Sequence, residues 1–293
     1  MKRRRFIFIA AAVAFAGSAR CEMTTWQADM FGGTVRVDLR GPHGISEEVT
    51  RRIGETIAEI EGSASLFKPD SALSRLNATG HLDDPPPALI DLFGLADHLY
   101  KETGGCFDPT VQPLWRALAE GRDSTEAKVT IGWDRVQIGS PVRLGRGQAL
   151  TFNGIAQGYA ADRVRELLRE AGYGQAIVEM GEFAAIGGPF SVAVEDPHLG
   201  EIAVRRLAGN AIATSSPSAM RIGNAFHILG PRGERPCWST ISVEGDSAAM
   251  ADGFSTAFCL MSAEQIRAVL HQSRSITRVT AVDLAGDVST VWN

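Results

Sequence analysis

The stretch that most limits the fold of this chain is Ala251-Asp252-Gly253-Phe254-Ser255-Thr256, inside a helix read from Ala248 to Met261. Met250, Phe254, Phe258 and Met261 recur at helical spacing and make one apolar stripe. Asp252 and Thr256 are one turn apart and share a face almost opposite that stripe. A surface helix would carry charge around them. Here the neighbours are Ala248, Ser255 and Cys259, all small and uncharged. The helix therefore reads as covered on both sides. A lone buried carboxylate is costly unless it is paired or bound to a cation. Two hard oxygens one turn apart suit Mg²⁺, with a substrate phosphate completing the shell. The structural alternative is that Asp252 accepts from a neighbouring helix N-terminus and Thr256 back-bonds to its own helix. The stretch alone leaves both open.

The rest of the chain supplies layers to cover such a helix. Ser46 is an N-cap for a helix with Val49, Ile53, Ile57 and Ile60 on one face. A short polar helix ends near Asn77, and Pro85-Pro86-Pro87 opens another through Leu89, Leu92, Phe93, Ala96 and Leu99. Asp108 before Pro109 is a helix N-cap with proline at the first position. Val129 to Leu144 reads as short strands, and Leu150 to Tyr159 as a strand running through small residues into a helix. Such a junction can hold an anion on its free N–H groups, although it lacks the GxGxxG and Walker spacings. Strands follow at Ala176–Met180, Ser191–Glu195, Ile202–Leu207, Ala211–Thr214 and Thr240–Glu244. A helix from Ala263 to His271 and a closing hairpin around Gly286-Asp287 end the chain. This mixed order predicts a single α+β domain of two packed layers, with mixed or antiparallel strands and helices.

Composition excludes more than it specifies. The 293 residues are 44% hydrophobic and 22% charged, which is ordinary for a globular chain. A net charge of -5 argues against a nucleic-acid binder. Residues 1–19 read as a cleavable export signal: Lys2-Arg3-Arg4-Arg5, an apolar run from Phe6 to Ala16, then Gly17-Ser18-Ala19. Arg3-Arg4-Arg5-Phe6-Ile7 fits the twin-arginine pattern, with a general secretory signal as the alternative. The expected location is the periplasm, with residues 20–293 as the functional domain and no membrane span after signal removal. Arg20 disfavours lipidation of Cys21. Cys21, Cys106, Cys237 and Cys259 have no CxxC spacing, so a cysteine zinc site is not expected.

Six stretches then fall into a familiar order. They are Ser71-Ala72-Leu73-Ser74-Arg75-Leu76-Asn77, Gly104 to Leu114 (GGCFDPTVQPL), Phe152 to Asp162 (FNGIAQGYAAD), Val178 to Gly181, Ala213-Thr214-Ser215 with His227-Ile228, and Ala251 to Thr256. Together they resemble the ApbE family of FAD:protein FMN transferases, from about Leu66 to Val291. The resemblance implies an ApbE-like, T-fold-related fold that binds FAD and Mg²⁺ and moves FMN onto a threonine hydroxyl of a partner protein, releasing AMP. It implies Asp252, Thr256 and the main-chain oxygen of Gly154 as metal ligands. It implies His227 as the proton-transfer group and, with Asp252, as the catalytic pair. Asn77, Phe107, Asp108, Thr110, Val111, Thr151, Gly154, Gln157 and His227 would line the FAD cleft.

The sequence also departs from the family pattern. Glu182 stands at the second glycine of "lGG", Ser215-Ser216 replaces the "SG" after threonine, and Gly230 replaces the aspartate of "HIiDP". The departures fit a divergent exported member serving one acceptor with an exported FMN-binding domain, such as the membrane flavoprotein of nitrous-oxide respiration. Two other readings stand beside transfer: hydrolysis of FAD to FMN and AMP, and a periplasmic flavin-binding chaperone without turnover.

Overall fold

The computed structural model describes residues 23–30, 32–41 and 44–292. The expected export signal and Cys21 lie outside them. The chain begins with a hairpin of β1 (Met23–Met30) and β2 (Gly33–Arg40). Helix α1 (Glu47–Ala64) follows, capped by Ser46, whose Oγ accepts from Val49 N–H at 3.2 Å. Its Val49, Ile53, Ile57 and Ile60 are buried, as their spacing predicts. Then come α2 (Ala72–Thr79), β3 (His81–Leu82), α3 (Pro87–Glu102), α4 (Gln112–Ala119), α5 (Thr125–Val129) and β4 (Val142–Arg143).

Helix α6 (Ala156–Glu170) leads to β5 (Ala176–Glu179), β6 (Phe183–Ile186), β7 (Phe190–Asp196), β8 (Gly200–Leu207) and β9 (Ala211–Ser215). The two-residue strands β10 (Arg221–Ile222) and β11 (Ala225–Phe226) pair with each other. The chain closes with β12 (Trp238–Gly245), α7 (Ala248–Phe258), α8 (Ala263–Gln272), β13 (Ile276–Asp283) and β14 (Val288–Trp292).

Eight strands form one sheet in the order β1-β2-β5-β6-β9-β12-β13-β14, with every pairing antiparallel. Side chains alternate across it. Val178, Ala184 and Ala213 enter the large core under the helices, whereas Ile177, Phe183, Ala185 and Ile212 point to the opposite face. That second face is covered locally by the β7–β8 hairpin through Phe190, Val192, Val194 and Leu207. The two expected layers are present, and the hairpin adds a partial third that periodicity does not reveal.

Two local expectations are corrected. The segment 129–144 contains a 3-10 turn at Trp133–Arg135 and only the short strand β4. Its apolar positions anchor a loop: Trp133 is 3% exposed and its indole N–H donates to Asp97 Oδ1 at 3.2 Å. The segment 150–155 is a turn rather than a strand. Asn77 holds it by pairing with both backbone groups of Leu150, at 2.9 and 2.7 Å. Side-chain bonding replaces a strand ladder there.

Candidate active site at the α6–α7 contact

Helix α7 is buried on nearly every side, packed on β9 and β12 and flanked by α6 and α3. Two glycines set its distance from its neighbours. A Cβ on Gly253 would lie 2.1 Å from Leu99 Cδ1, and one on Gly158 would lie 2.4 Å from the Ala248 carbonyl. Only glycine permits those approaches. The N-terminus of α7 is held by an acid from α6. Asp162 accepts from Ala248 N–H at 2.9 Å, Ala249 N–H at 3.0 Å and Ser247 Oγ at 2.7 Å. Arg165 pairs with Asp162 at 2.9 Å.

The three residues assigned to the metal converge at this contact, although Gly154 and Thr256 are far apart in sequence. A Cβ on Gly154 would sit 3.1 Å from Thr256 Oγ1 and 3.4 Å from the Phe107 ring. Asp252 is 4% exposed, and its Oδ2 accepts from Gly158 N–H at 3.4 Å. Gly158 is in the first turn of α6, where N–H groups have no partner within the helix. This half of the structural alternative is therefore realised, through one long bond. The other half is not the bond formed: the Thr256 hydroxyl meets Ser215 Oγ at 3.3 Å, and Ser215 also meets Ser255 Oγ at 2.8 Å. Gln157 occupies the same first turn of α6, whose N-cap residue Ile155 offers no side-chain acceptor.

Burial raises the Asp252 pKa; the Gly158 bond acts against it. A second carboxyl lies in hydrogen-bonding contact with it: Glu182, 8% exposed, whose pKa is driven well above the usual range by burial and then by the Asp252 charge. Among the described residues neither acid is ion-paired to a base. The sequence flagged Glu182 only as a departure from a glycine pattern; nothing local says that it reaches α7. Ser215 and Asp162 lie inside the motif stretches, where no local signal gives either a role.

The remaining site residues divide by how their polar atoms are used. Asp108 and Thr110 are buried, and Asp108 Oδ1 accepts from Thr110 N–H at 2.8 Å and Thr110 Oγ1 at 2.6 Å. Trp133 N–H donates to Asp108 Oδ2 and Gly132 N–H to Thr110 Oγ1. Their polar atoms serve the loop, so their part in any cleft is to fix its wall. Thr151 N–H donates to the Pro109 carbonyl at 2.9 Å, tying the Gly154 turn to that wall. Val111 is half-buried beside it.

His227 follows β11, half-buried, with Nδ1 3.1 Å from the Met220 carbonyl. A carbonyl only accepts, so Nδ1 carries the proton and Nε2 keeps its lone pair. Burial lowers the His227 pKa below 6.5, with the carbonyls of Met220 and Pro217 opposing. The segment carrying those carbonyls follows β9, whose last residue Ser215 touches Thr256.

A model of the ApbE family matches residues 24–280. A FAD:protein FMN transferase of Haemophilus influenzae is 27% identical over 72% of this chain and 72% of its own length. Among solved structures, the flavin transferase ApbE of Vibrio cholerae superposes with a TM-score of 0.81 at 21% identity, covering 93% of this chain and 97% of its own. The apo flavinyl transferase ApbE of Pseudomonas stutzeri gives 0.79 at 23% identity, covering 93% and 94%. These structural likenesses concern the fold.

Proposed function

This chain belongs to the ApbE family, and from that premise we propose that it transfers the FMN half of FAD to a threonine hydroxyl of a partner protein. The acceptor oxygen forms a phosphoester with the riboflavin-side phosphorus, the pyrophosphate bond breaks, and AMP leaves. The observation that carries the reading is the meeting of Gly154, Asp252 and Thr256, with the N-terminus of α6 beside them.

The donor set suits a hard divalent cation such as Mg²⁺: a buried carboxylate, a hydroxyl and a main-chain carbonyl, with no sulfur or imidazole. Asp252, Thr256 and the carbonyl of Gly154 would hold it. Bound there, it would supply charge neutralisation at the pyrophosphate. The chain's own residues do the rest. First-turn N–H groups of α6, near Gln157, favour the phosphate end of FAD. Phe107 walls the turn that presents Gly154. His227 is neutral at physiological pH, and the lone pair of its Nε2 takes the proton from the attacking hydroxyl.

The expected acceptor is an exported FMN-binding domain, as in the membrane flavoprotein of nitrous-oxide respiration, and the protein acts in the periplasm after signal removal. Mature protein would be incubated with FAD, Mg²⁺ and such a domain, and the acceptor weighed by mass spectrometry. A mass gain of one FMN is expected. Free FMN and AMP with no adduct would replace the transferase reading by pyrophosphatase, and bound FAD without turnover would replace it by a chaperone.

A further inference from the structure

Glu182 has no part in the reading above. It sits in the turn between β5 and β6, where Met180 N–H donates to its main-chain oxygen at 3.0 Å. An acid in a hairpin turn has solvent within easy reach. This one is 8% exposed and lies against the Asp252 carboxyl. Burial disfavours each anion, and each anion disfavours the other. The Gly158 N–H, at 3.4 Å from Asp252, is a weak offset. Arg165, a base on the same helix as Gly158, is engaged by Asp162 and the Asp246 carbonyl, each at 2.9 Å. A divalent cation turns both penalties into attraction. The hydroxyl of Thr256 lies one helical turn beyond Asp252 on α7, and the Gly154 turn that leads into α6 stands against it.

We propose that Glu182 is a further protein ligand of the divalent cation, and that the resulting two-carboxylate site binds the cation before FAD arrives. The proposal rests on the metal-assisted reading and deepens it. With Asp252 alone the protein offers one negative charge to a dication, and substrate phosphates must supply the balance. With Glu182 the protein supplies two and neutralises the ion unaided. Ligand charge is a main lever on divalent-cation affinity at oxygen sites.

The test is a titration of Mn²⁺ into the mature, FAD-free chain, with unbound Mn²⁺ counted by electron paramagnetic resonance and Mg²⁺ as competitor. Wild type should bind one ion without FAD. Glu182→Gln keeps the volume and a hydrogen bond to Asp252 but removes the charge, and should weaken binding at least about tenfold. Glu182→Gly should do the same, and FAD should restore part of the affinity in both. Mg²⁺ should raise the melting temperature of wild type more than that of either variant, a readout independent of turnover. Equal FAD-free affinity in wild type and Glu182→Gln would overturn the proposal. So would binding by wild type only when FAD is present, an outcome that leaves the transferase reading standing. No Mn²⁺ binding under either condition would overturn the metal-assisted reading as well.

Discussion

Two acids serve the same helix in opposite ways. Asp162 reaches from α6 to the N-terminus of α7 and is satisfied by two backbone N–H groups, a serine hydroxyl and an arginine. It also sits where the helix dipole favours negative charge. Asp252 stands inside α7, more deeply buried, with one long hydrogen bond and another acid for company. The first arrangement is complete without a ligand. The second is stable only with a shared proton or a cation. An acid with all its partners in place holds the fold together; an acid left with a like charge marks where a ligand belongs.

The largest expected effect breaks the comparison at its functional end. Asp252→Asn should lower FMN transfer about 10³-fold, roughly 4 kcal/mol, because charge at the pyrophosphate loses its partner. The melting temperature should hold or rise, since a buried like-charge pair is relieved. Turnover within a few-fold of wild type would sink the metal role of Asp252. The structural end should behave in reverse. Asp162→Ala should cost about 3 kcal/mol of stability by uncapping α7 and leaving Arg165, which is 11% exposed, without its carboxylate. Denaturant unfolding measures the loss, and the folded fraction should keep its transfer rate at saturating Mg²⁺.

A third change tests the contact that brings the acids together. Gly158→Ala should cost about 2 kcal/mol, because its Cβ would meet the Ala248 carbonyl at 2.4 Å. A thermal melt unchanged from wild type would show that α6 and α7 can separate without penalty. The smallest effect concerns His227, which lies between the two extremes: it is half-buried, and its ring is held by the Met220 carbonyl at 3.1 Å from Nδ1. Burial lowers its pKa below 6.5, so the neutral base predominates above that value. Transfer should therefore decline on the acid side, about tenfold per pH unit or 1.4 kcal/mol, with a midpoint below 6.5. His227→Asn should abolish that limb. The same sign applies to stability: proton uptake favours the unfolded chain, so stability is lost as pH falls from 6.5 through the folded value.

Much of the fold was legible wherever one segment carried its own signal. The stripe of α1, the Ser46 cap and the hairpin around Gly286-Asp287 all reappear in the structure. Reading failed in 129–144 and 150–155, where apolar residues looked like strands. There the backbone is satisfied by side chains of distant segments, such as Asn77 on Leu150, and no local pattern reports that. The site divides the same way. Asp252 and Thr256 were visible because they are one turn apart on a helix with unusually small neighbours. Glu182 was visible only as a departure from a motif, and Ser215 only as a member of one.

The sequence by itself determined that α7 is covered on both faces and that one carboxylate and one hydroxyl share the face away from its apolar stripe. Those are consequences of a 3.6-residue period, which any reader of the chain can count. Only the tertiary structure decided that Asp162 would be saturated and Asp252 would not. That outcome depends on the two helices closing through Gly158 and on the β5–β6 turn delivering Glu182 to α7. Contacts between residues so far apart in sequence are set by sheet register and helix packing, and local periodicity carries no record of them.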